Sequence, residues 1–156
     1  MTRRSQAEKE LLEFRRRLRE APDDVEALAQ YARLYMEADR LSDAVVVLQQ
    51  LLARSPRDVR AMVMCGNCYR RLGLLESAAA ELERAVRTDP DNVEARYGLG
   101  RVYDLMGRYE DALEQHRIAA DVAPGDPEPH YRMGVTRARH DDFEEARAAI
   151  GARETP

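Results

Sequence analysis

The chain has 156 residues, of which 44% are apolar and 35% charged, and its net charge at neutral pH is −4, an acidic balance that argues against a general nucleic-acid-binding protein. No run of about 18 apolar residues occurs, and the N-terminal segment lacks the apolar core of a signal peptide, so we expect no membrane insertion. Two cysteines are too few for a disulfide scaffold, and a cytoplasmic protein is the expectation that follows.

The first predicted element is an amphipathic helix near the start of the chain. Leu11, Phe14 and Leu18 fall on one stripe, and Leu12 widens it. Arginines and glutamates share the opposite face. We interpret residues 1–24 as an N-terminal capping helix, because a polar outer face keeps the end of a stack of repeats soluble.

A step of 34 residues organises the rest of the chain. It separates Pro22, Pro56, Pro90 and Pro124. The same step relates sets of small residues, tyrosines and alanines, namely Ala32, Gly66, Gly100 and Gly134; Tyr35, Tyr69 and Tyr103; Ala44, Ala78, Ala112 and Ala146. A fixed step of this size indicates stacked repeats.

The segment Val93–Asp126 resembles a unit of the tetratricopeptide-repeat family. The residues that carry the resemblance are Leu99, Gly100, Tyr103, Gly107, Tyr109, Ala112, Ala119 and Pro124. The resemblance extends over residues 25 to about 152. It implies an all-α fold, a right-handed solenoid of helix–turn–helix repeats.

The 34-residue step sets the expected boundaries. After the capping helix, the predicted repeats span 25–58, 59–92, 93–126 and 127–156, all within one continuous solenoid domain. The fourth repeat is truncated or divergent, with its second helix expected near Phe143–Ala152. No capping helix follows it, so the C-terminal end of the stack is expected to be open.

No constellation in the sequence favours catalysis. Cys65 and Cys68 form a C-x-x-C pair, but a zinc site needs four ligands and no second pair exists. Both cysteines align with apolar residues of other repeats, which favours packed thiols over a redox centre. His116 stands where other repeats carry leucine, so we expect a packed or half-buried imidazole. We therefore predict a protein that is not an enzyme and has no metal or cofactor.

The resemblance also implies a groove lined by the first helix of each repeat, in which relatives hold a peptide or a partner's helix. Arginines and an apolar-to-aromatic row stand at these positions, which favours a ligand that carries an acidic side chain or a C-terminal carboxylate. The candidate groove residues are Arg33, Val63, Met64, Asn67, Arg70, Arg71, Tyr97, Arg101, Asp104, Tyr131, Arg132 and Arg139.

The predicted function is that of a non-catalytic scaffold or adaptor for a protein or peptide partner, without nucleic acid. The alternative is a structural module that self-associates through the open C-terminal end of the solenoid, giving a homo-oligomer. The sequence does not name the partner.

Overall fold

A computed structural model describes the backbone of residues 3–154 and the side chains of residues 6, 8–148 and 150. Over this range the chain forms eight α-helices and no strand. The helices are α1 (Arg3–Glu20), α2 (Val25–Glu37), α3 (Leu41–Arg54), α4 (Val59–Arg71), α5 (Leu75–Thr88), α6 (Val93–Leu105), α7 (Tyr109–Val122) and α8 (Glu128–Glu154). The first two and last two residues, which belong to the first and last predicted segments, lie outside the described range.

The helices form two compact units. Met1–Asp89 contains α1 to α5, and Pro90–Pro156 contains α6 to α8. In the first unit each helix packs on the next one along the chain, and in the second unit α7 packs against both α6 and α8. This nearest-neighbour packing of helix pairs is that of an α-solenoid, which confirms the predicted fold class. The prediction of one continuous domain stays a prediction.

A side-chain cap begins the first helix of three pairs. Asp24, Asp58 and Asn92 each accept a hydrogen bond from the backbone N–H three residues later, at 2.9 Å in every case. The first N–H groups of a helix have no intrahelical acceptor, so each cap supplies one. The 34-residue step therefore recurs in the local structure that starts each pair.

The turn inside each of these pairs requires a left-handed backbone. Gly73 and Gly107 have φ angles of 77° and 74°, and Asp39 takes the same role with a φ of 58°. Glycine adopts this conformation without a steric penalty, and aspartate is among the few other residues that tolerate it. The first turn therefore uses aspartate at the position where the next two turns use glycine.

Glycines allow the two helices of a pair to approach closely. A Cβ atom on Gly66 would lie 2.5 Å from Cγ of Leu82, and one on Gly100 would lie 2.4 Å from Cε1 of His116. Leu82 and His116 are fully buried, so each fills the space above its glycine. The small-residue step in the sequence thus marks the closest contact of each of these pairs.

His116 is fully buried, as the sequence predicted, but its polar atoms are poorly accommodated. Neither ring nitrogen has a hydrogen-bond partner among the residues that the structure describes. The nearest carboxylate oxygen, Oδ2 of Asp104, lies 3.7 Å from Nε2, beyond hydrogen-bond distance. An imidazole in a slot that other repeats fill with leucine therefore carries an uncompensated desolvation cost.

The capping helix α1 packs on α2, and Arg17 bonds Asp24 at 3.1 Å. Leu11, Phe14 and Leu18 are half-buried, as their predicted stripe requires. Leu12 does not belong to that stripe, because 71% of it is exposed. The sequence pattern assigned Leu12 to the wrong face.

The last predicted helix pair is a single helix in the structure. Residues 128–154 form α8 without a break, so a separate second helix starting near Phe143 is not present. Asp141 continues the 34-residue series of Asp39, Gly73 and Gly107 but remains helical. Side chains 141–148 are all exposed. The straight helix thus keeps its backbone hydrogen bonds through these residues while their side chains remain exposed.

Replacing Gly66 by alanine tests the close approach of the second pair. The new methyl group would overlap Leu82, so we expect a loss of about 1–3 kcal/mol in the free energy of unfolding, measured in urea. Gly125→Ala is the matched control, because no atom lies within 4 Å of the place that a methyl group would take on this loop residue. Equal stability of both variants would show that the pair is not tightly packed at Gly66.

Replacing His116 by leucine tests the cost of the buried imidazole. We expect the free energy of unfolding at neutral pH to rise by about 1 kcal/mol or more, because two buried nitrogen atoms without partners are removed. Leu82→His, the reverse change in the preceding pair, should destabilise the protein. A loss of stability in His116→Leu would instead mean that the imidazole supports the neighbouring carboxylate of Asp104.

Candidate functional site

The second unit carries two stripes of side chains, one on α6 and one on α8. On each helix the residues are spaced four apart, which places them on one side. The stripes consist of Tyr97, Arg101 and Leu105 on α6, and of Tyr131, Val135 and Arg139 on α8. We call these six residues the α6/α8 face.

Two side-chain hydrogen bonds hold α6 beside the start of α8. Thr136, which is fully buried, donates through Oγ1 to Oδ2 of Asp104 at 2.8 Å. The Tyr97 hydroxyl donates to Asp126, which also accepts the backbone N–H of Glu128 at 2.9 Å. Because these contacts fix both helices, the two stripes of the α6/α8 face belong to neighbouring, anchored elements.

The same contacts alter the acidity of the groups involved. Burial, together with the hydrogen bond to Asp126, raises the pKa of the Tyr97 hydroxyl well above its usual range. The hydrogen bond from Tyr97, followed by the one from the Glu128 backbone, lowers the pKa of Asp126. Asp126 is therefore an anion held in place by Tyr97 at neutral pH.

Exposure on the face is uneven. Tyr131 is 64% exposed and Leu105 is 50% exposed. Arg101 is half-buried and Arg139 exposed, and neither makes an ion pair or side-chain hydrogen bond with a residue in the described part of the chain. The face thus combines two uncompensated cations with two large exposed apolar groups.

Arg132 is less available than its place in the sequence suggested. Its Nε lies 2.6 Å from Oε1 of Glu128, one turn earlier in α8. Its guanidinium carbon also lies 5.7 Å from the centre of the Tyr131 ring. Arg132 therefore neutralises Glu128 and supports Tyr131.

Two of the predicted groove residues lie in the core. Val63 is 2% exposed and Asp104 is 7% exposed, so neither offers a surface to a ligand in this structure. Val63 is packed among the helices of the first unit, and Asp104 is occupied by Thr136. The sequence pattern identified the helix correctly in each case but assigned both residues to the wrong side of it.

The remaining candidates lie on α2 and α4 of the first unit. Arg33 pairs with Glu37 at 3.8 Å, and Arg71 pairs with Asp39 at 2.8 Å. Met64, Asn67 and Arg70 are all half-buried. Within this unit the charges of the candidate arginines are therefore largely compensated, unlike those of Arg101 and Arg139.

Two residues that support the site, Asp126 and Thr136, were not among the predicted ones. Asp126 was overlooked as the acceptor for Tyr97. Thr136 aligns at the 34-residue step with Val102, Cys68 and other apolar residues. A single hydroxyl in an apolar row was the available signal that a buried polar partner would be needed.

The cysteines are packed thiols. Cys65 and Cys68 are fully buried and are not joined by a disulfide. Burial raises the pKa of Cys65 to about 12 and also raises the pKa of Cys68. Over the described residues, no three His, Cys, Asp or Glu side chains are grouped as metal ligands would be.

Comparisons with known proteins agree on the fold. MamA from Desulfovibrio magneticus RS-1 superposes with a TM-score of 0.81 at 25% identity, over 96% of this chain and 85% of that one. YrrB, described as a tetratricopeptide-repeat protein with an unusual peptide-binding site, gives a TM-score of 0.75 at 22% identity, over 91% and 73%. No curated protein sequence matches the chain.

No helix between residues 3 and 154 is both long and apolar enough to cross a membrane.

The profile of the tetratricopeptide repeat matches residues 30–93, 69–127 and 97–155, which overlap and together include most of the sequence. Repeats of this kind serve as scaffolds for protein interactions. The matched segments, the capped helix pairs and the glycine contacts together show that the chain belongs to the tetratricopeptide-repeat family.

Proposed function

We propose that this protein is a non-catalytic interaction module that binds an acidic peptide, or a peptide's C-terminal carboxylate, on the α6/α8 face. The observation that carries the proposal is the state of Arg101 and Arg139. Both lack an ion pair in the described part of the chain, and they share the face with Tyr131 and Leu105. The net charge of −4 makes uncompensated cations on one face a distinctive feature of the surface.

The chemistry of these side chains favours a carboxylate. A guanidinium presents paired N–H donors that match the two oxygens of a carboxylate, and such charge-assisted bonds are stronger than neutral ones. Arg101 is half-buried, so a bond made there is less screened than one at a fully exposed site. Arg101 is therefore the best anchor for the ligand's charge.

The apolar groups of the face provide the second part of recognition. Half of Leu105 and more than half of Tyr131 are exposed, and Val135, one turn after Tyr131 on α8, is half-buried. Tyrosine supplies a large contact area with few rotatable bonds, which suits it to interfaces. We expect a ligand with an apolar side chain close to its acidic group.

We further propose that the partner is a protein or peptide in the cytoplasm, and that binding needs no nucleic acid, metal or cofactor. In the first unit, the ion pairs Arg33–Glu37 and Arg71–Asp39 leave less uncompensated charge. Those residues stay candidates for a secondary contact. The relatives support a peptide ligand only by analogy, since YrrB is described as having a peptide-binding site.

Fluorescence anisotropy with short labelled peptides tests this function. The panel contains acidic peptides with one leucine, the same peptides amidated at the C-terminus, and neutral versions of equal length. We expect the acidic peptides to bind best, and Arg101→Gln/Arg139→Gln to weaken binding about tenfold or more, because each lost charged hydrogen bond costs about 1.5–3 kcal/mol.

Arg57→Gln/Arg60→Gln is the matched control, because both arginines are exposed and belong to the first unit, whereas this face belongs to the second. It removes the same net charge and should leave the affinity within about twofold. An equal loss of affinity in both double variants would show that the peptide is held only by general electrostatic attraction. Equal binding of acidic and neutral peptides would contradict the proposed ligand class.

A second candidate function is self-association through the C-terminal part of α8. The observation that favours it is the exposure of Phe143 and Ile150, at 50% and 60%, on a helix whose side chains 141–148 are all exposed. Large apolar groups exposed on one surface can form a patch of the kind that marks a protein contact.

Light scattering across a range of protein concentrations tests this second candidate. We expect the mass to rise with concentration, and Phe143→Ser/Ile150→Ser to abolish the rise, because the substitutions remove the apolar contact. Leu12→Ser is the control, since Leu12 is also largely exposed but lies in the first unit. A constant monomer mass at all concentrations would leave peptide binding as the sole function supported.

A further inference from the structure

The last helix, α8, carries a glycine and a large apolar residue on opposite sides, at the positions where the earlier helix pairs make their glycine contact. Gly134 and Ile150 lie sixteen residues apart in α8. In a straight helix this separation corresponds to a rotation of about 160° and a distance of about 24 Å. No atom of the described residues lies within 4 Å of the place that a methyl group would take on Gly134, and Ile150 is 60% exposed. In the straight helix Gly134 is therefore open, and most of the Ile150 side chain faces solvent.

The preceding pairs show what these positions do when a pair is closed. Gly66 receives Leu82, and Gly100 receives His116, in contacts too close for any added methyl group. Both pairs of residues are also sixteen apart. One repeat later, the same register places Ile150 over Gly134. The sequence of α8 therefore contains both halves of a contact that its straight form keeps apart.

The residues between the two positions fit a turn. By register with Gly107 and Gly73, the left-handed residue of the turn would be Asp141. Aspartate already takes that conformation at Asp39, with a φ of 58°. No glycine or proline prevents the helix from continuing through this point either. Asp141 is thus compatible with both a helix and a turn.

The residues after Asp141 resemble the start of a second helix. Glu144 and Glu145 stand at the register of Glu110 and Asp111, which occupy the first turn of α7. Acidic side chains stabilise the first turn of a helix by interacting with its dipole. Phe143 already contacts Tyr109, with ring centres 6.0 Å apart, and so marks the point from which a returning helix would begin.

We propose that α8 exchanges between the straight helix and a helix hairpin, bent over residues 140–142, in which Ile150 packs on Gly134. In the hairpin the second half of α8 packs back on its first half, as α5 packs on α4 and α7 on α6. In the straight form Gly134 and Ile150 are both open to a partner. The device goes beyond peptide binding on the α6/α8 face, since it controls a different surface.

A disulfide trap tests the hairpin. Gly134→Cys/Ile150→Cys should form an intramolecular disulfide, because the hairpin brings the two backbones within bonding distance, whereas the straight helix keeps them about 24 Å apart. Gly134→Cys/Ala148→Cys is the matched control, with a similar separation along the helix but with residue 148 facing outward in the hairpin. We expect the first pair to close at least tenfold faster, measured by non-reducing electrophoresis and mass spectrometry.

Two substitutions of Asp141, the residue at the bend, should change the rate of disulfide closure in opposite directions. Asp141→Gly should accelerate closure several-fold, because glycine favours the left-handed turn, and Asp141→Ala should slow it, because alanine favours the helix. Asp142→Ala controls for the loss of a neighbouring acid. Equal, slow closure of both cysteine pairs in all backgrounds would overturn the proposal, and so would disulfides formed only between two chains.

Hydrogen exchange on the unsubstituted protein provides an independent measurement. In the hairpin, residues 143–145 form the first turn of a helix, whose N–H groups lack intrahelical acceptors. Their amides should therefore exchange faster than those of residues 146–148, which follow them. A steady increase in exchange rate from residue 136 to the C-terminus is the pattern of a straight fraying helix and would contradict the exchange between two forms.

Discussion

The packing of one large side chain onto one glycine is the contact on which each complete helix pair of the second and third repeats depends. Leu82 on Gly66 and His116 on Gly100 bring the two helices closer than any side chain larger than hydrogen would allow. Protein interiors have little free volume, so such a contact fixes the position of both helices. The caps then stabilise the helix starts, and the left-handed glycines at the turns let the chain reverse direction between the two helices.

The same contact explains where the structure departs from the regular repeat. His116 fills the slot sterically, but its ring nitrogens have no hydrogen-bond partner among the described residues. The imidazole lies near the hydrogen-bonded pair of Asp104 and Thr136, so the three side chains form a polar cluster. In α8 the slot at Gly134 is not filled at all. Irregular packing therefore occurs in the second unit, which also carries the α6/α8 face. The first unit has the more uniform apolar core, with its central leucines almost fully buried.

The distribution of charge separates residues that serve the fold from residues that are available for binding. Arg71 and Arg132 are engaged by Asp39 and Glu128. Exposed ion pairs of this kind stabilise a fold only slightly, but they do reduce the pull of each arginine on an incoming carboxylate. Arg101 and Arg139 have no such partner in the described chain, and this difference distinguishes them from the other arginines at the predicted groove positions.

The sequence by itself determined the fold class, because a 34-residue step in proline, glycine, tyrosine and alanine reports on local events: a cap, a left-handed turn and a close helix contact. It also determined that Cys65, Cys68 and His116 are buried, since they share register with apolar residues. Only the tertiary structure decided that Val63 and Asp104 belong to the core and that α8 is straight. It also decided that Arg132 is paired, whereas Arg101 has no ion-pair partner among the described residues. These outcomes depend on which side chains meet across neighbouring helices, and on the balance between backbone hydrogen bonds and burial, and neither can be read from spacing along one chain.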